Sequence, residues 1–323
     1  MRTIPILFTF DESLLMPAGV CITSLLENAA PETFYDIFVL HHEKCNLAET
    51  KLKDIPERYG NARITFRPVR NEFVGAYETR GIPETAYYRL ISPELIPEYD
   101  KIVYSDVDVI FRDDLSHYYD IDLGENYMAG VDNCSAFRPW TQNRLQKELG
   151  IDYRDGYIYS GNLIINSKQI LKDGIIHRFR ELAKDNYEQQ DMDIINIACN
   201  NRITFIDPSF CLTHYLYNFI VNRKEEMIQF FPEDVLDYAL KKGIVHYNGD
   251  KPWIKDCINM DIWWDYYRRS IFFNEKFCYT FWQGRWRLLE KLPWMKRLKL
   301  LLRYPVDHKS FRPAKPIDIN SFL

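Results

Sequence analysis

The chain has 323 residues, 46% of them hydrophobic and 15% aromatic, with a net charge of −5. That is enough apolar material for a sizeable core, and it excludes an intrinsically disordered chain. The charge is unevenly placed: residues 268–323 carry 13 Lys and Arg against four acids, a net +9, so the other 267 residues carry −14. An acidic body with a basic, aromatic tail disfavours nucleic acid as the partner of the body.

The start, Met1 to Asp11, is too short in its apolar run for a signal peptide, and an Asp stands where a cleavage site belongs. No stretch reaches the roughly 18 apolar residues of a spanning helix. The seven cysteines are scattered, odd in number and without a Cys-x-x-Cys pair. This predicts free thiols in a reducing, cytoplasmic compartment.

In chain order, Ile6–Phe10 reads as a buried strand, followed by a helix with Pro17 in its first turn. Asp36–His42 is the second strand. Asn46 with Glu49 opens a helix to about Arg58. Arg63–Val69 is the third strand, and Thr85–Ser92 is helical, ending before Pro93. Lys101–Phe111 reads as one strand, with Tyr127–Val131 and Tyr157–Asn166 as further ones. Lys168–Lys184 and Gln190–Cys199 are helical, and Arg202–Ile206 and Gly243–Tyr247 extended. Strands alternating with helices predict an α/β fold: a mostly parallel central sheet flanked by helices. Two units are expected, a catalytic domain over residues 1–260 and a basic aromatic helical extension over 261–323.

In such sheets the ligand sits at the carboxyl ends of the strands. Asp11, Asp106 and Asp132 each close an apolar strand. In Ser105-Asp106-Val107-Asp108-Val109 two carboxylates flank one Val inside an apolar run. Two like charges there are costly unless a cation neutralises them, and hard oxygens suit Mg²⁺ or Mn²⁺. His246, closing Gly243–Val245, is a candidate third ligand, and in a bland reading a hydrogen-bonded structural His. Gly249 would let backbone approach a phosphate and Lys251 would supply the counter-charge, unless Gly249-Asp250-Lys251-Pro252 is simply a surface turn. Asp191 and Asp193 open a helix, where carboxylates are favourable as caps in any case.

Six segments run in register: Ile6-Leu7-Phe8-Thr9-Phe10-Asp11, Ala86-Tyr87-Tyr88-Arg89-Leu90, Val103-Tyr104-Ser105-Asp106-Val107-Asp108-Val109, Tyr159-Ser160-Gly161-Asn162-Leu163-Ile164-Ile165-Asn166, Asp191-Met192-Asp193-Ile194-Ile195-Asn196 and His246-Tyr247-Asn248-Gly249-Asp250-Lys251-Pro252-Trp253. Together they resemble glycosyltransferase family 8, which includes bacterial lipopolysaccharide α-glucosyl- and α-galactosyltransferases and glycogenin. The resemblance implies the GT-A-type nucleotide-sugar-binding fold and a retaining transfer of a hexose, glucose or galactose, from a UDP-sugar to a carbohydrate acceptor of a cell-surface glycan. It implies that Thr9 and Asp11 lie at the uracil, and that Asp106, Asp108 and His246 hold Mn²⁺, or Mg²⁺, against the diphosphate. Gly249 and Lys251 would meet the phosphates. Arg89 and Asp191 would line the donor sugar, and Asp193 matches the carboxylate discussed as a nucleophile. The chain departs from the family at Tyr159, where Asn is usual, and Met192, where Gln is usual, which leaves the donor sugar open.

Two other readings compete. A non-catalytic nucleotide-sugar or glycan binder would account for Tyr159 and Met192. A haloacid-dehalogenase-type phosphohydrolase also carries Asp-x-Asp-x-Val after an apolar strand, but normally near the chain start and with an acidic motif that Gly249-Asp250 lacks. The tail mixes Phe272, Tyr279, Phe281, Trp282, Trp286 and Trp294 with Arg285, Arg287, Lys291, Lys296, Arg297 and Lys299. It is expected either to touch anionic lipid at the inner membrane face, near a lipid-linked saccharide acceptor, or to pack on the body with a solvated basic face.

Overall fold

The computed structural model describes residues 1–79, 82–133 and 138–303, with the side chains of 288, 289 and 299–303 excepted. The strands are β1 (Arg2–Thr9), β2 (Thr33–His42), β3 (Ala62–Val69), β4 (Ile102–Ser105), β5 (Val109–Ile110), β6 (Met128–Val131), β7 (Asn162–Ile165), β8 (Ile203–Ile206), β9 (Leu212–Thr213) and β10 (Val245–His246). The helix α1, Leu15–Glu27, follows β1. A seven-stranded sheet runs β3-β2-β1-β4-β7-β6-β8, and a three-stranded sheet runs β5-β10-β9.

Neighbours in the large sheet are parallel except where β7 meets β4 and β6. The inner strands are buried on both faces, which is why β1 is apolar almost throughout, while the edge strands β3 and β8 are partly exposed. Alternate residues enter different cores: Ile4, Ile6 and Phe8 join the one beneath α1, while Leu7 joins the other with Phe38, Ile102 and Tyr104.

The chain steps outward from β1 to β2 to β3 and then returns to lay β4 on the other side of β1. The order therefore reverses between β1 and β4, and a crevice opens beyond their carboxyl ends.

Several expected elements differ. The helical segment expected to end before Pro93 continues as Ser92–Leu95, with Pro93 in its first turn, and the strand expected over Tyr157–Asn166 is only Asn162–Ile165. Lys101–Phe111 is not one strand: β4 stops at Ser105, and the chain resumes as β5 in the other sheet. The helix expected over 46–58 is three short turns, Leu47–Glu49, Lys51–Asp54 and Ile55–Tyr59, with Pro56 entering the last. Gly174, at φ 68°, divides Lys168–Lys184 into Ser167–Lys172 and Ile175–Leu182.

Near the C-terminus, the helix Met260–Arg269 sends Trp263, Trp264 and Tyr267 into the α1 core, and Phe277 and Phe281 of the helix Glu275–Glu290 follow. Part of the expected extension thus packs on the same core as the body. Among the described residues no helix is long and apolar enough to cross a membrane.

Candidate metal and diphosphate site

The break between β4 and β5 builds the site. After Ser105 the Asp106 N–H donates to the Gly161 carbonyl at 2.7 Å, and the chain turns through Val107 and Asp108. β5 then pairs antiparallel with β10, which places His246 opposite Val109. The Tyr247 N–H donates to the Asp108 carbonyl at 2.9 Å, continuing that pairing. Residues 138 apart in sequence are thereby brought into contact through backbone hydrogen bonds alone.

His246 Nε2 lies 3.3 Å from Asp108 Oδ1 and 3.5 Å from Asp106 Oδ2. One ligand atom from each of the three residues falls within 4.8 Å of the other two. Gly161 closes the fourth side: a Cβ there would strike the His246 ring and stand 2.8 Å from Asp106 Oδ2. Two carboxylates and an imidazole, converging in a cradle that tolerates no methyl group, fit a divalent cation such as Mn²⁺ or Mg²⁺.

Cations of the protein compensate the two carboxylates. Lys251 donates to Asp108 Oδ2, and also to the Tyr247 carbonyl at 2.7 Å. Arg89, 4% exposed, sits 3.0 Å from Asp106 Oδ1 and 3.4 Å from Asp191 Oδ2. It also donates to the carbonyls of Ala86 at 2.8 Å and Ser160 at 2.6 Å, and its guanidinium lies 4.2 Å from the Tyr104 ring centre. Burial pushes the Asp108 carboxyl up, but Lys251 and His246 outweigh it and hold the group well below the usual range. Burial lowers His246, yet the Asp108 carboxylate, aided by Cys211, lifts it to about 10.

The side expected to meet the nucleoside is less elaborate. Thr9, at the end of β1, pairs its hydroxyl with Tyr104 Oη at 3.1 Å, and Tyr104 in turn donates to Asp106 Oδ1 at 2.5 Å. Asp11 stands two residues past β1, where its Oδ1 accepts from the Ser13 amide at 2.8 Å and the Ser13 hydroxyl at 2.5 Å. Gly249 adjoins the His214 ring; a Cβ would meet it at 3.3 Å, so the position is snug but not closed.

The structure separates the two aspartates of the helix Asp191–Ala198. Asp191 joins the site through Arg89. Burial raises its carboxyl pKa, an effect Arg89 opposes, and its Oδ2 makes no hydrogen bond. Asp193 points elsewhere. It is fully buried, and it accepts from Arg144, from Tyr157 Oη at 2.5 Å and from the Gln189 amide at 2.9 Å. Of the departing residues, Tyr159 lies in the α1 core with its hydroxyl accepting from Thr213 at 3.3 Å, and Met192 is partly buried against apolar neighbours.

Sequence reasoning missed Tyr104 and Cys211. Tyr104 stands two residues before Asp106, so strand alternation puts both on one face; that spacing was the available signal. Cys211, with Sγ 3.4 Å from His246 Nδ1, had none.

The glycosyl transferase family 8 model matches residues 5–257. The chain belongs to glycosyl transferase family 8. It is 26% identical over 206 residues to the glycosyltransferase GlyE of Streptococcus pneumoniae, covering 61% of this chain and 45% of that one. It is 23% identical over 261 residues to the lipopolysaccharide 1,2-glucosyltransferase of Escherichia coli, covering 78% and 74%. Among solved structures, the bifunctional glycosyltransferase WbbM superposes with a TM-score of 0.71 at 25% identity, over 84% of this chain and 50% of that one. The galactosyltransferase LgtC, solved with donor and acceptor sugar analogues, gives 0.67 at 24% identity, over 84% and 98%. The chain thus spans about half the length of GlyE and WbbM. The fold is of the GT-A type seen in LgtC, and the matched span takes in the six segments quoted above.

Proposed function

We propose that this family 8 chain is a retaining hexosyltransferase that moves glucose or galactose from a UDP-sugar to a carbohydrate acceptor of a cell-surface glycan. The observation that carries the reading is the convergence of Asp106, Asp108 and His246, with Lys251 and Arg89 beside them, at the β1/β4 reversal. Asp106, Asp108 and His246 would hold Mn²⁺, or Mg²⁺, and the ion supplies positive charge for the departing diphosphate. Lys251 and the backbone at Gly249 meet the phosphates. Thr9 and Asp11 face the nucleoside. Arg89 and Asp191 line the sugar, and the Asp191 carboxylate offsets the positive, oxocarbenium-like character that develops at its anomeric carbon.

The acceptor is a glycan or lipid-linked saccharide at the cytoplasmic membrane face. Supporting this are the exposed Tyr279, Trp286, Trp294 and Met295 beside exposed Arg287, Lys291, Lys296 and Arg297, a composition suited to anionic lipid.

A screen for UDP release over UDP-glucose, UDP-galactose and other UDP-sugars, with saccharide acceptors and with Mn²⁺ or EDTA, tests the reading. Mn²⁺-dependent release with a hexose donor supports it. Donor binding without UDP release in the presence of any acceptor would instead favour the binding-module reading that Tyr159 and Met192 suggest.

A further inference from the structure

We propose that Asp193, Arg144 and Tyr157 form a positioning cluster that holds the turn at Gln190 and thereby aims Asp191 into the donor pocket, and that Asp193 is not the reacting carboxylate. The inference rests on the function proposed above, and it assigns roles to two residues, Arg144 and Tyr157, that lie outside the six segments.

Both oxygens of Asp193 are engaged. Tyr157 Oη donates to Oδ1 at 2.5 Å, and Arg144 together with the Gln189 amide, at 2.9 Å, donates to Oδ2. The side chain is wholly buried, and Arg144 is 4% exposed. A carboxylate held by three donors and wholly buried presents no open face to a reacting sugar. Asp191, two residues earlier, faces Arg89 and leaves Oδ2 without a hydrogen bond.

The cluster acts on the turn between them. Gln190 adopts φ 48°, ψ −122°, a conformation disfavoured for any residue with a side chain. Such strain persists only when surrounding contacts over-determine it. Here the Asp193 carboxylate accepts from the Gln189 amide, and the buried Gln190 side chain donates to the carbonyls of Tyr77 at 2.9 Å and Ile82 at 3.3 Å. Three elements converge on one carboxylate: the helix Pro139–Arg144, the segment entering β7 through Tyr157, and the helix bearing Asp191. Rotation of the turn would swing Asp191 away from Arg89.

The test compares Arg144→Met, Asp193→Asn, the double variant and Tyr157→Phe. Removing Arg144 alone strands a buried charge and should lower Tm; removing both charges should restore it. Arg144 also meets Glu188 and Glu148, but both are half-exposed and lose little. The cluster's positioning role then appears as a split. The double variant should bind UDP as the wild type does, yet lose about tenfold of the extra affinity for UDP-glucose over UDP, with kcat falling in step. Amide exchange at 189–192 should rise about tenfold at unchanged Tm. Wild-type turnover and exchange in the double variant would overturn the proposal. So would rescue of Asp193→Ala by azide, in which azide bonds to the anomeric carbon as the bond to UDP breaks, since that marks a lost nucleophile. If the wild type binds neither UDP nor UDP-glucose, the donor reading fails on its own. The exchange measurement then still decides whether the cluster holds the turn.

Discussion

Sγ of Cys211 lies 3.4 Å from Nδ1 of His246, the ring nitrogen that does not face the aspartates. A metal-bound imidazole is oriented by whatever its second nitrogen touches, and partners of this kind are worth about 10–100-fold in metal affinity. Cys211 is fully buried, so its contact is with the ring and not with solvent. Cys211→Ala should weaken Mn²⁺ binding about tenfold, and Cys211→Ser should restore most of it, as read by Mn²⁺ EPR titration.

Gly161→Ala should empty the site of metal without unfolding the chain. The added methyl meets the His246 ring and Asp106, while Gly161 is not among the glycines at positive φ, so the backbone itself is unstrained. Calorimetric titration should show Mn²⁺ binding abolished, with Tm within a few degrees of wild type.

Lys251→Met removes the cation beside Asp108 and, under the proposed function, the counter-charge for the departing diphosphate. Loss of one electrostatic donor of this kind costs about 10²–10³ in kcat. Because Lys251 is part-exposed, Tm should change little. Steady-state UDP release at saturating Mn²⁺ measures the effect.

The His246 pair gives a pH signature. Its folded pKa, about 10, lies above the ordinary His value near 6.5. In metal-free protein the stabilisation is fully present below about pH 6.5 and is lost as pH rises through about 10. Metal binding must displace that proton, so Mn²⁺ affinity should rise with pH over the same window. Titration at pH 7.5 in two buffers of different ionisation enthalpy should show about one proton released from His246, and His246→Ala should show none.

Much of this was legible in the sequence, for physical reasons that can be located. The apolar runs of β1 and β2 are buried on both faces and could be read directly, while β3 at the sheet edge is only partly buried. The single run at Lys101–Phe111 concealed two strands in different sheets, because Val109–Phe111 is as apolar as Ile102–Tyr104 and only the carboxylates between them mark the break. The same carboxylates, with His246 and Lys251, were the strongest site signal, and the structure brings all four together. Asp191 and Asp193 looked equivalent, both opening one helix. Their separation depends on Arg144 and Tyr157, more than 30 residues upstream, which no local pattern connects to them. The antiparallel insertion of β7 was equally silent, since strand direction leaves no mark on a buried apolar run.

The central claim is that Asp106, Asp108 and His246 form a cation-dependent diphosphate clamp, and UDP affinity measured with Mn²⁺ and with EDTA tests it most directly. The account predicts that Mn²⁺ tightens UDP binding at least about tenfold in the wild type and not at all in Asp108→Asn. Equal UDP affinity with and without the metal, unchanged by Asp108→Asn, would contradict it.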